Sequence, residues 1–109
     1  MTVTAKCLLE PKQAENSQTT PDTVPTGTRT IIDKFTARSV AGATLSVNLV
    51  ASGGAAGASN LIATKTLAAG EHYTFPELVG QVLNTGDFIS TISTVATDTV
   101  IRISGRENT

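Results

Sequence analysis

His72 is the only histidine and Cys7 the only cysteine in this 109-residue sequence, so a Ser/His or Cys/His arrangement must use His72. A serine nucleophile needs His72 as its base, yet no Gly-x-Ser-x-Gly elbow presents one. Glu71, His72, Glu77 and Asp87 lie near enough in sequence to converge on a divalent ion. One imidazole with dispersed carboxylates at no metal-loop spacing fits solvated surface groups better. The run Gly53-Gly54-Ala55-Ala56-Gly57 invites comparison with phosphate-cradling loops. It lacks a following Lys-Ser/Thr, departs from Gly-x-Gly-x-x-Gly and precedes a strand-like stretch, so it reads as a flexible hairpin tip. The expectation is no catalytic residue, no cofactor-binding residue, no metal ligand, no cofactor and no enzyme.

Other ligand classes meet similar obstacles. Net charge is −1 and the Lys and Arg residues are spread along the chain, which leaves no electrostatic footprint for nucleic acid or an anionic membrane. No stretch is apolar for long enough to span a bilayer, and the first ten residues lack the apolar run of a secretory signal. Cys7 alone excludes an internal disulfide and fits a strand residue in a reducing compartment or one with no redox role at all. Sugar-binding modules present aromatic faces to pyranose rings, and here the candidates are Phe35, Tyr73, Phe75 and Phe88, at least two of which belong in a core. A carbohydrate- or receptor-binding module stays open as the alternative.

The elements that carry these residues read as strands. With 19 threonines, Thr, Val and Ile make up about a third of the chain, and β-branched side chains suit a pleated surface. From Arg29 onward the period is two: Ile31, Phe35 and Ala37 share one parity, Thr30, Lys34, Thr36 and Arg38 the other. Asp33 on the apolar parity and Ile32 on the polar one call for a bulge near Ile32–Asp33 or for an interface on the nominally exposed face. Leu45, Val47 and Leu49 alternate with Thr44, Ser46 and Asn48, and strands are expected again over residues 61–67, 72–75, 88–94 and 99–104. Pro76 ends its strand, and Glu77 to Leu83 fits a helical turn or a short strand equally well. Seven or eight short strands about ten residues apart predict an all-β, antiparallel sandwich or jelly roll, with a small closed barrel as the other architecture. Parity places Ile31, Phe35, Leu45, Val47, Leu49, Leu67, Phe88, Ile92, Ile101 and Ile103 in its core.

The N-terminal part differs in character. Residues 11–28 hold three of the four prolines and almost no large apolar group, so they cannot fold on themselves. The chain therefore divides into a strand at Val3 to Leu9 with an extended arm, residues 1–28, and a sandwich domain, residues 29–109. The arm either delivers its strand to a neighbour's sheet edge or folds back as an edge strand of its own sandwich. A single domain of this size buries only about two-thirds of its unfolded surface, which favours homo-oligomers.

From about Val24 to Glu107 the order of signals resembles a family of small virion proteins of tailed bacteriophages. The matching features are Pro25 to Thr28 before Ile31 and Ile32, the strand Thr44 to Val50 before a small-residue loop, Ala68 to Glu71, Leu83 to Asp87, and the closing Ile103 to Glu107. The resemblance implies a non-enzymatic β-sandwich subunit that decorates the capsid or forms a collar at the neck. Its partners would be copies of itself and capsid, portal or neck subunits, and it would be assembled in the host cytoplasm and found in the virion. The family offers no catalytic residues to carry over.

Overall fold

Alternation of apolar and polar residues gives each strand one face to bury, and two such sheets close over a shared core. The computed structural model describes residues 2–95 and 98–109. Its strands are β1 (Val3–Gln13), β2 (Thr19–Thr23), β3 (Arg29–Ser39), β4 (Ala43–Val50), β5 (Leu61–Leu67), β6 (His72–Tyr73), β7 (Val82–Leu83), β8 (Phe88–Ser93) and β9 (Thr99–Asn108). Among the described residues the helices are two short 3-10 turns, Ala58–Asn60 and Pro76–Leu78, and none is long and apolar enough to cross a membrane. The stretch from Glu77 to Leu83 thus takes both of its expected forms, a turn and then β7. The loop expected over Val95 to Asp98 contains Ala96 and Thr97, which lie outside the described residues.

The first sheet has the order β1-β9-β3-β6, with β7 also pairing with β3; the second has the order β2-β8-β4-β5. Every pairing is antiparallel. Successive strands that cross from one sheet to the other in this order make a jelly roll, the predicted all-β architecture. Phe35, Ala37, Ile101 and Ile103 from the first sheet meet Leu45, Val47, Leu67 and Ile89 from the second, all buried.

Four of the expected core positions differ. The register of β3 against β9 shifts between Ile32 and Lys34, the expected bulge site. The shift reverses parity upstream of it, so Ile32 and Thr30 are buried and Ile31 points outward, half-buried. On β8 the inward residues are Ile89, Thr91 and Ser93, which pair with Leu49, Val47 and Leu45. Phe88 and Ile92 consequently lie half-buried on the outer face. Leu49 keeps its inward direction but is only partly covered.

The N-terminal segment folds back. β1 lies along β9 of the same chain, with shifts between Cys7 and Leu9 and between Leu9 and Lys12, and β2 lies along β8. In place of an arm extended over residues 1–28, the segment supplies one edge strand to each sheet. Leu8, Ala14 and Val24 are the buried anchors that make this possible. Backbone bonds Ala14 N–H to Thr99 O (2.7 Å), Ser93 N–H to Glu15 O (2.9 Å) and Val24 N–H to Asp87 O (2.9 Å) tie down the connections on either side of β2.

Candidate functional site

The residue types that carry chemistry are held apart. His72 pairs in register with Arg38 on the outer face of the first sheet and is exposed. Cys7 lies half-buried on β1, its Sγ 3.8 Å from the carbonyl oxygen of Ile103. Each carboxylate once considered with His72 is engaged locally. Glu71 accepts the Ala68 N–H at 2.7 Å, Glu77 accepts the Tyr73 hydroxyl at 3.3 Å, and Asp87 accepts the N–H groups of Ser52 and Asn84 at 3.0 and 2.9 Å. Among the described residues no three His, Cys, Asp or Glu side chains gather as a metal would require. The glycine-rich loop is fastened as well: Asn48 donates to Gly57 O and Asn60 Oδ1, and Asn60 donates to Ala55 O.

Three of the four aromatic residues form one internal cluster, and Phe88 lies apart on the outer face of β8. Phe75 packs edge-on against Phe35 (5.1 Å between ring centroids) and Tyr73 (4.9 Å), and both phenylalanines are fully buried. Phe75 adopts a left-handed backbone, φ 44°, immediately before Pro76, a conformation that costs a non-glycine residue about 1–3 kcal/mol and here turns the ring into the core. Lys65 occupies an inward position of the edge strand β5, opposite Leu45, and its Nζ sits 5.0 Å above the Tyr73 ring. Burial, and then the charge of Glu77, push the Tyr73 phenol above its ordinary range. Of the four candidates for a sugar platform, half-buried Phe88 is the one ring on an outer sheet face.

Surface features therefore matter more than any single pocket. The second sheet presents hydroxyls and amides outward, with Thr44 and Ser46 hydrogen-bonded to Thr66 and Thr64 across the strands at 3.0 and 3.3 Å. Two adjoining hollows of ≈ 310 and ≈ 210 Å³ lie on this face, share Ser46 and Ile92, and have no charged residue in their walls. The side closed by β5 and β7 carries exposed Ile62, Val79 and Val82. Ile62 and Val82 line a shallow cavity of ≈ 240 Å³ together with Leu49, Val50 and Leu83.

The first sheet presents charge. Arg106 grips Asp33 through Nε and Nη2, both at 3.0 Å. Lys34, Arg38 and Arg102 stand outward beside this pair with no carboxylate partner among the described residues. Sequence order hid this grouping, since 64 residues separate Arg38 from Arg102; strand parity was the signal that held it.

Two further carboxylates show opposite electrostatics. Asp98, 5% exposed, accepts the Ser39 hydroxyl and the Ala41 N–H (2.7 Å), and these bonds hold its carboxyl below the ordinary value. Asp22 is half-buried near Lys6 and Glu107. Burial raises its carboxyl above the ordinary value, Lys6 opposes the rise and Glu107 adds to it.

No protein-family model matches the sequence, and no curated protein is significantly similar to it. Among solved structures, a chain from Bacillus endospore appendages, described as a novel family of disulfide-linked pili, is similar over 99% of this chain and 88% of that chain. With a TM-score of 0.52 at 15% identity, that likeness establishes the sandwich fold they share.

Proposed function

We propose that this chain is a non-enzymatic structural subunit that packs on copies of itself and on other virion proteins, as a capsid decoration or neck collar protein. The observation that carries the reading is the aliphatic side of the sandwich, where Ile62 and Val82 stand 42% and 54% exposed at a shallow cavity walled mainly by Leu49, Val50 and Leu83, with Gln81 and Asp87 at its polar side. Contiguous exposed aliphatics on a small domain mark a contact surface. The similar appendage chain is itself a pilus component. A continuous covalent polymer needs two thiols per subunit, and Cys7 offers one, so contacts between these copies are non-covalent or at most join pairs.

Purified virus particles from producing cells should contain the chain in fixed ratio to the shell protein, measured by quantitative mass spectrometry. Ile62→Asp with Val82→Asp should leave a folded chain whose incorporation falls about tenfold or more. Its absence from particles would end the virion reading, and unchanged incorporation of the double variant would remove the aliphatic side from it.

The uncharged trough on the second sheet favours a second reading, a carbohydrate-binding module that recognises a neutral glycan by hydroxyls and amides. Titration with neutral oligosaccharides should then shift the NMR signals of Ile92 and Gln18; no shift at millimolar sugar would discard it.

A further inference from the structure

We infer that the outer face of the first sheet is a cationic docking surface for the carboxylate-bearing side of a second copy of this chain. The inference rests on the reading of the chain as an assembling subunit and names what one of its faces takes.

The geometry begins with parity. On β3 the outward residues include Arg29, Asp33, Lys34 and Arg38; on β9 they include Arg102 and Arg106. Arg102 pairs in register with Thr36, which places it diagonally between Lys34 and Arg38. Diagonal neighbours on one sheet face lie roughly 7–8 Å apart, so the three cations form one cluster. His72 adjoins it beside Arg38. Asp33 is already taken by Arg106, and Glu10, in the bulge of β1 between Leu9 and Lys12, makes no ion pair with Arg102 among the described residues.

Charge then selects the partner. Five cations against Asp33 and Glu10 leave this face formally +3 in a chain of net charge −1, so the remainder carries −4. Two such faces cannot meet across a two-fold axis, because like charges oppose each other over the whole contact. The complement lies on the connections that run from β5 to β8, where Glu77 stands on the turn that packs against β3 and β5 and Asp87 borders the cavity lined by exposed Ile62. Their local hydrogen bonds leave acceptor capacity on each carboxylate, since an ionised carboxylate offers about four lone-pair sites. A contact between two different surfaces of identical chains is heterologous and propagates into a ring or a filament. Aliphatic Ile31, Val82 and Val100 interleave the cations. Among the described residues the face carries no Phe, Tyr or Trp ring on which a base could stack, His72 being its one imidazole, so a protein surface fits it better than a nucleic acid.

Sedimentation velocity of the full chain tests this at about 0.01 M and about 1 M salt, where the screening length falls from about 30 Å to about 3 Å. The expected result is concentration-dependent association at low salt that weakens at least tenfold at high salt. The variant Lys34→Glu, Arg38→Glu, Arg102→Glu should stay monomeric, as should Glu77→Lys combined with Thr74→Lys at the exposed position three residues before it. An equimolar mixture of the two should associate again, because each restores the other's complement. Lys34→Gln, Arg38→Gln, Arg102→Gln, which adds no repulsion, should associate at least tenfold more weakly than the native chain, and circular dichroism checks that every variant is folded. Association that survives the charge changes overturns this inference and leaves the assembling subunit in place. A native chain that stays monomeric at every concentration overturns both. If a duplex oligonucleotide is retained by the native chain and lost by the glutamate variant, while the mixture stays monomeric, the face binds phosphates and the second copy is excluded.

Discussion

The two ends of the sandwich treat the same side chain in opposite ways. At the end where β3 turns into β4, the Asp98 carboxylate draws together the Ser39 hydroxyl and the Ala41 N–H, and Ser39 Oγ in turn accepts the Gly42 N–H at 2.9 Å. At the end where the termini meet, Asp22 is half-buried beside the Lys6–Glu107 ion pair (3.2 Å), and no group among the described residues donates a hydrogen bond to it. Burial without donors penalises the charged form, whereas burial with aimed N–H and O–H groups favours it. One end is fastened by its acid and the other is burdened by it.

The largest effect that probes this contrast belongs to the terminal end. Gly105 on β9 lies beneath the β3 bulge, where an added Cβ would run into the Ile31 carbonyl oxygen and press on Leu8 Cδ1 at 2.9 Å. Main chain cannot yield as a flexible side chain can, so Gly105→Ala should cost about 3 kcal/mol, read from urea unfolding. A cost below about 1 kcal/mol would show that the bulge relaxes and that the end is softer than the structure implies.

A smaller effect is expected at the fastened end. The lowered carboxyl of Asp98 contributes stability that is present above the ordinary value of 3.8 and lost as pH falls through its lower folded value. Asp98→Asn should therefore lower the Tm at neutral pH, and the difference should shrink with acid below pH 3.8. The smallest effect has the opposite sign. The raised carboxyl of Asp22 favours the folded state most below its ordinary value of 3.8, and that advantage is lost as pH rises through the higher folded value. Asp22→Asn should raise the Tm slightly at pH 7 and leave it unchanged below pH 3.8. Matching pH profiles for the two variants would erase the distinction between the ends.

Much of this fold was legible because β-branched residues alternate cleanly in β3, β4, β5 and β9, and because the turns carry their own signals. The bulge at Ile32–Asp33 could be read from a parity conflict, but its consequence for Ile31 could not, since the reversal depends on the pairing with β9. β8 misled for a different reason. Its inward positions include Thr91 and Ser93, so its apolar residues do not mark the core face; pairing with β4 decides it. The segment from Pro11 to Thr28 looked unable to fold because local composition says nothing of the two open sheet edges awaiting a strand. No catalytic geometry could be read from the sequence, and the cationic face became visible only when β3 and β9 stood side by side.

Lys65 gives the sheet edge at β5 a distinct character. β5 is a strand of seven residues, in regular register with β4 from Ala63 to Leu67 and shifted at Ile62, whose outer backbone groups resemble a template for further strands, the arrangement from which fibrillar aggregates grow. Its lysine points toward the sandwich interior and rests on the Tyr73 ring. A flat incoming strand that pairs there would have to bury the ammonium group or pull it off the ring. One inward charge thus opposes runaway stacking at that edge.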